Sequence, residues 1–301
     1  MKTILTALAC VFSLSLITGV SYAQLPGNVP PVSPKDTLFQ VETTDGNTFL
    51  GYITFQDSLM IRLETEKLGE LTINRKDIAK ITEINSEKIV EGKYWSDNPQ
   101  STRYMWAPNG FGMKKGEGYY QNIWVMFNQV SGAFTDNLSV GVGVIPSFLF
   151  GADVVPFWIT PKVSIPIRDN INIGVGALAF NVIGVDDMSW TGLLYSTATF
   201  GTPDKNLSVG LGYGFVDGEL ASTPTVNISG LIRGGEKWYF MMENYYLSTD
   251  PFEDDDNGVL ITGIGGRRML GKASIDFGIV RGHNWTFIGM PWLGFTIPFG
   301  S

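Results

Sequence analysis

The segment Asp136-Asn137-Leu138-Ser139-Val140-Gly141-Val142-Gly143 recurs twice in altered form. It returns as Asp169-Asn170-Ile171-Asn172-Ile173-Gly174-Val175-Gly176. It returns again as Lys205-Asn206-Leu207-Ser208-Val209-Gly210-Leu211-Gly212, the successive Asn lying 33 and 36 residues apart. Each copy is a polar turn followed by strict alternation of aliphatic residues with Ser, Asn or Gly. Alternation with period two marks a strand with two unlike faces. Here one face is aliphatic and the other small and polar. A strand between lipid and a lumen has that composition. The pattern predicts an all-β fold, a transmembrane antiparallel up-and-down β-barrel. Propellers and solenoids also repeat at this period, and a soluble all-β fold stays open as an alternative. It is disfavoured because an exterior of Gly and Ser would be poorly solvated.

The first residues read as an export signal. Lys2 supplies the positive start, Thr3 to Val20 is free of charge, and Ser21-Tyr22-Ala23 is a small-x-small cleavage site. Residues 1–23 are thus expected to be a signal peptide, with the mature chain starting at Gln24. Cys10 raises lipidation as an alternative, but Ala7-Leu8-Ala9 lacks the usual large apolar residue. Cys10 is the single cysteine, so the mature chain would hold neither disulfide nor thiolate. The net charge of −8, with no basic run, argues against nucleic-acid binding. After residue 23 no stretch approaches the roughly 18 apolar residues of a helical span. A membrane-integral chain of this kind must therefore be a closed barrel, because open strands leave unpaired backbone in lipid.

Four regions follow the signal. Residues 24–35 form a Pro-rich linker (Pro26, Pro30, Pro31, Pro34). Residues 36–84 hold about five short strands whose intervening positions are charged. They suggest a small SH3-like or Sm-like β domain in aqueous periplasm. Residues 85–100 connect it to the barrel, expected over 101–301. Strands are predicted near 101–109, 119–134, 137–148, 154–167, 171–182, 190–202, 206–218, 223–234, 237–249, 258–269, 272–281 and 286–299. Short turns alternate with longer connections along this series, as periplasmic turns alternate with external loops. Parity then requires an outward strand before residue 118 if the N-terminal domain is periplasmic. Ser101–Asn109 is the available candidate, giving twelve.

Tyr119, Tyr120, Trp124, Phe157, Trp158, Trp190, Trp238, Tyr239, Trp285 and Trp292 fall toward strand ends, as interfacial girdles do. Leu293, Phe295, Ile297 and Phe299 alternate in the final strand, as in the C-terminal signal read by the barrel assembly machinery. That machinery, outer-membrane lipid and lipopolysaccharide are the expected partners, with a periplasmic partner for the N-terminal domain left open.

Ser101-Thr102-Arg103-Tyr104, Ala107-Pro108, Lys114-Lys115-Gly116-Glu117-Gly118-Tyr119-Tyr120-Gln121-Asn122 and the Gly-rich hairpins carry a family resemblance. Over about residues 100–301 the chain resembles a group of uncharacterised Gram-negative outer-membrane β-barrel proteins. The resemblance implies location and fold and brings no activity.

Catalytic and cofactor signals are weak. His283, the single histidine, stands beside Asn284. Twelve-strand outer-membrane phospholipases use Ser, His and Asn, but no Ser lies at a recognisable offset here. The acidic stretch Asp250–Gly258 fails the calcium-loop pattern, because Phe252 and Gly258 occupy ligand positions. Gly266–Lys272 has phosphate-loop spacing, but Ala273 replaces the required Ser or Thr. Gly210-Leu211-Gly212-Tyr213-Gly214 is strand alternation. No catalytic residue, metal site or cofactor is expected.

Charge within the predicted strands is the best lead. Lys162, Arg233, Glu243, Asp276 and either Arg267 or Arg268 should face the lumen. In lipid each would cost roughly 2–4 kcal/mol near the midplane. Such charges form either a structural ion-pair network or a selectivity constriction. Three functions stay open: a structural barrel in the envelope, a narrow passive channel for small solutes, and an embedded hydrolase.

Overall fold

The computed structural model describes residues 37–84, 89–90, 93–247, 258–283 and 285–300. The signal, the Pro-rich linker, the acidic stretch 250–257 and Asn284 lie outside them. The chain divides into two compact units, with the break after Gly92.

The N-terminal unit is a five-stranded antiparallel sheet. Its strands are β1 (Leu38–Thr43), β2 (Thr48–Gln56), β3 (Met60–Thr65), β4 (Gly69–Asn74) and β5 (Ile78–Ile84), in the order β4-β3-β2-β1-β5. Val41, Ile61, Leu63 and Ile73 form its buried core, and the charged residues between them stay wet. The β2–β3 turn is held by Asp57, whose carboxylate accepts from the Leu59 and Met60 amides, each at 2.7 Å. These bonds hold its carboxyl below the usual range, with the Met60 amide the larger cause.

The second unit is a closed barrel of twelve antiparallel strands. They are β6 (Gly118–Ile123), β7 (Phe127–Ala133), β8 (Leu138–Val144), β9 (Val155–Arg168), β10 (Ile171–Ile183), β11 (Thr191–Thr202), β12 (Lys205–Val216), β13 (Thr225–Gly235), β14 (Trp238–Leu247), β15 (Val259–Leu270), β16 (Ala273–Gly282) and β17 (Met290–Phe299). Each pairs with its sequence neighbour, and β17 pairs with β6 to close the ring. Ten of the strands coincide with predicted ones within a few residues. Outward positions carry Val142, Val175, Leu194, Leu211, Ile264, Phe277 and Leu293, all exposed. Inward positions carry buried Ser164, Thr199, Ser208, Ser229, Ser274 and Thr296. An apolar band outside and polar residues inside, with every strand edge paired, is an outer-membrane barrel.

Two predicted strands are overturned. The stretch 119–134 is a hairpin, β6 and β7, turning through Trp124-Val125-Met126. Trp124 and Val125 adopt φ of 51° and 65°, a region that β-branched residues rarely enter. No Gly, Asn or Asp marks this turn. Trp124 is held there by its own contacts: its Nε1–H donates to the Pro291 carbonyl at 2.6 Å, and its ring packs edge-on against Trp292. Val125→Gly should therefore stabilise the barrel by about 1 kcal/mol by releasing left-handed strain, measured by urea titration in lipid.

Ser101–Asn109 is not a wall strand. The segment 95–117 passes into the lumen and returns before β6 begins. Its tip is a turn closed by the Tyr104 amide donating to the Ala107 carbonyl at 2.9 Å, with Arg103 and Pro108 bridged beside it. The predicted total of twelve holds because the divided hairpin supplies the strand that this segment does not.

Aromatics divide between the two sides of the wall. Phe157 packs on Trp190, and Trp238 on Phe277, on the outer face. Trp158, Tyr239 and Trp292 are at most 5% exposed and face inward. The expectation of interfacial girdles is corrected for these three: strand parity sends them into the lumen, where they meet the inserted segment or one another.

Candidate functional site: a plugged lumen

The barrel has a turn end and a loop end. The turn end carries the connections near 135–137, 169–170, 203–204, 236–237 and 271–272 together with the start of β6 and the end of β17. The inserted segment enters there, with the Asn98 side-chain amide donating to the Pro203 carbonyl at 3.1 Å. Its tip reaches the middle of the lumen.

Small inner-face residues make this possible. Gly110 lies against β10 so closely that a Cβ there would overlap the Asn172 carbonyl. In turn, a Cβ on Gly174 would come within 2.9 Å of the Asn109 carbonyl. The Asn/Gly face of the β10 repeat is thus a seat for plug backbone, a close approach that glycine permits. The Gly110 amide donates to Thr199 Oγ1 at 2.7 Å on the next strand. Tyr104 is fully buried, and its hydroxyl donates to Asn206 Oδ1 at 2.6 Å beside Ser208.

The lumen charges fasten the same segment. Asp276 receives Arg267 Nε at 2.7 Å and Arg103 Nη1 at 2.9 Å, so two guanidiniums share one carboxylate. Arg267 also donates to the Gln100 carbonyl at 3.0 Å and the Tyr104 carbonyl at 2.7 Å. Arg103 Nη2 reaches Gln100 Oε1 at 2.8 Å. Arg103, Tyr104, Met105, Arg267 and Asp276 are all at most 3% exposed and fill the lumen at this level. Glu243 Oε1 accepts from the Trp106 and Ala107 amides at 2.8 and 3.0 Å, and Tyr245 donates to its other oxygen at 2.7 Å. Lys162 Nζ donates to the Phe111 carbonyl at 2.7 Å and the Thr102 carbonyl at 3.3 Å.

Of the six predicted lumen charges, Lys162, Glu243, Arg267 and Asp276 face the lumen and bind the plug or its ion-pair triad. Arg233 also points inward but sits at the turn-end rim. There it pairs with Asp204 at 3.0 Å, donates to the Ser96 carbonyl at 2.8 Å and lies over the Trp95 ring. Arg268 is corrected: period-two register sends it outward when Arg267 points in. Its guanidinium lies over Trp238 near the turn end, where a long side chain can reach the interface. The sequence reading missed Arg103, Tyr104 and Trp106. An arginine placed in a supposed lipid-spanning strand was the available signal for the first. His283 sits in the β16–β17 connection, its amide donating to the Leu260 carbonyl at 2.8 Å. Among the described residues no group of His, Cys, Asp and Glu is placed to hold a metal ion.

Above the plug lies a cavity of about 470 Å³. Trp106 on the plug tip forms its floor and is 38% exposed within the barrel. Trp124, Trp285, Trp292, Leu178, Leu193, Tyr195, Tyr245, Leu247, Ile261, Val280 and Met290 line its walls toward the loop end. Met113, Tyr119, Ser131, Ser139 and Lys162 line it as well, so the hollow also runs down one side of the plug toward the turn end, along β6–β9.

The fold and lumen define an outer-membrane-type β-barrel. Among solved structures, the chain is similar to a KdgM porin at 7% identity, over 60% of this chain and 96% of that one, with a TM-score of 0.42. It is similar to a KdgM porin in complex with disordered oligogalacturonate at 7% identity, over 60% and 95%, with a TM-score of 0.41. No protein-family model matches the chain, and no curated protein does.

Proposed function

We propose that the protein is a narrow outer-membrane passage for small solutes, held closed by its own segment 95–117. The observation that carries this reading is the arrangement of the lumen: a solute-sized cavity lies above a plug that is not part of the wall. Hydrogen bonds, the Arg103–Asp276–Arg267 triad and side-chain packing join plug to barrel, so it can leave without breaking a strand pairing. The lumen charges then fasten a gate as well as lining a path. A purely structural barrel is the second reading, favoured by the buried ion-pair triad of Arg103, Arg267 and Asp276 that fills part of the lumen.

The short turns and the entry of segment 95–117 at one end support a periplasmic position for that end. The N-terminal unit would sit there too. Its strand order, with a 3-10 turn at Arg75–Asp77 before β5, fits the SH3- or Sm-like type. The passage reading brings no catalytic step.

The test is single-channel conductance of the refolded mature chain in planar bilayers. The native chain should be closed most of the time, with rare steps. Gly110→Val drives a side chain into the Asn172 carbonyl while keeping every charge, and it should make openings frequent. A folded Gly110→Val barrel that stays silent would remove the passage and leave the structural reading.

A further inference from the structure

The cavity above the plug has the size of a ligand pocket, which commonly spans about 300–1,000 Å³. The charged and amide side chains in its lining are engaged already. Gln121 donates to the Met105 carbonyl at 3.1 Å, and Gln129 accepts from Trp158 Nε1 at 2.7 Å and donates to Ser131 at 2.9 Å. Asn227 bonds the Asn244 carbonyl and Ser229 at 3.1 and 3.0 Å. Lys162 and Glu243 are occupied by plug backbone, as described above. The Arg103 Nε–H, the Trp292 indole N–H and the Thr197 hydroxyl are buried without a hydrogen-bond partner, but surrounding atoms shut all three off from the cavity. Apart from a few hydroxyls, among them Thr160, Tyr195 and Thr225, what remains facing that space is aromatic and aliphatic, and Trp106 presents an open ring at its floor.

We infer that the cavity binds a small, uncharged, largely apolar ring compound. This rests on the reading of the lumen as a solute passage, and it names the class of solute. A ring stacks on Trp106 and its aromatic neighbours at little conformational cost. A charged group would enter a site whose own charges are already engaged, and it would lose its hydration without gaining a partner.

The test uses the mature chain in lipid nanodiscs and the probe 6-bromo-2-naphthol, whose bromine quenches nearby tryptophans. Native protein should show saturable quenching on top of the linear part caused by partition into lipid. Gly263→Leu fills the cavity from a position where an added Cβ makes only ordinary contacts, the nearest at 3.5 Å. It should lose the saturable part alone. Val280→Phe serves the same end should Gly263→Leu fail to assemble. The carboxylate analogue 6-bromo-2-naphthoate should bind at least about tenfold more weakly, because its charge must be desolvated. Quenching that never saturates, or that is equal in native protein and both filled variants, would overturn the inference. Naphthoate binding as tightly as naphthol would overturn the uncharged class. Conductance separates the two readings: openings in Gly110→Val without saturable naphthol binding keep the passage and sink this pocket. Saturable binding in a barrel that never conducts keeps the pocket and sinks the passage.

Discussion

Arg103→Ala should turn a mostly closed barrel into a mostly open one. Arg103 is the plug's contribution to the buried triad. Removing it leaves Arg267 and Asp276 paired on adjacent wall strands, registered opposite each other across β15 and β16. The wall should therefore assemble normally. The plug loses its ionic bond to Asp276 and its hydrogen bond to Thr296 on the wall. Loss of one partner from a buried ion pair costs about 3 kcal/mol or more, equivalent to about a hundredfold rise in the displaced population. Open probability in planar bilayers measures this directly. An unchanged record from a correctly folded variant would mean that the triad does not hold the gate.

Asp276→Ala should act on the other side of the same site and with a different readout. It leaves two guanidiniums buried together without their shared carboxylate. Burial of unpaired like charge is among the most destabilising changes available, about 3–5 kcal/mol here. The wall itself should lose stability, seen as a lower urea midpoint for barrel unfolding in lipid. Asp276→Asn retains an acceptor and should fall between the two. Arg103→Ala, by contrast, should leave the midpoint nearly unchanged. If Asp276→Ala unfolds at the native midpoint, the triad is not the structural centre that its burial indicates.

These predictions depend on residues whose importance was unevenly visible in the sequence. Asp276 and Arg267 were legible because strand register leaves a charge only two directions, and lipid excludes one of them. Their common neighbour Arg103 was not. It lies in a short segment assigned to the wall by parity, since an outward strand was needed before residue 118. The missing strand instead came from 119–134, where Trp124-Val125-Met126 makes a turn without turn chemistry. Rings packed against Trp292, with a bond to Pro291, overrule the local preference at those positions. The assignments of Arg268 and of Trp158, Tyr239 and Trp292 failed for a related reason. Alternation says that two neighbouring residues face opposite ways, but choosing which faces inward needs the register of the whole sheet.

The sequence by itself determined the class of fold. Period-two alternation, the spacing of polar turns and the lack of a long apolar stretch after residue 23 leave a closed barrel as the way to satisfy backbone hydrogen bonds in lipid. It also determined the small inner face, because Gly and Ser at alternate positions leave space whatever later fills it. Only the tertiary structure decided what fills that space. The plug is held by contacts between residues far apart in the chain, such as Arg103 with Asp276 and Gly110 with Asn172. Such contacts leave no local period, so no window of sequence carries them.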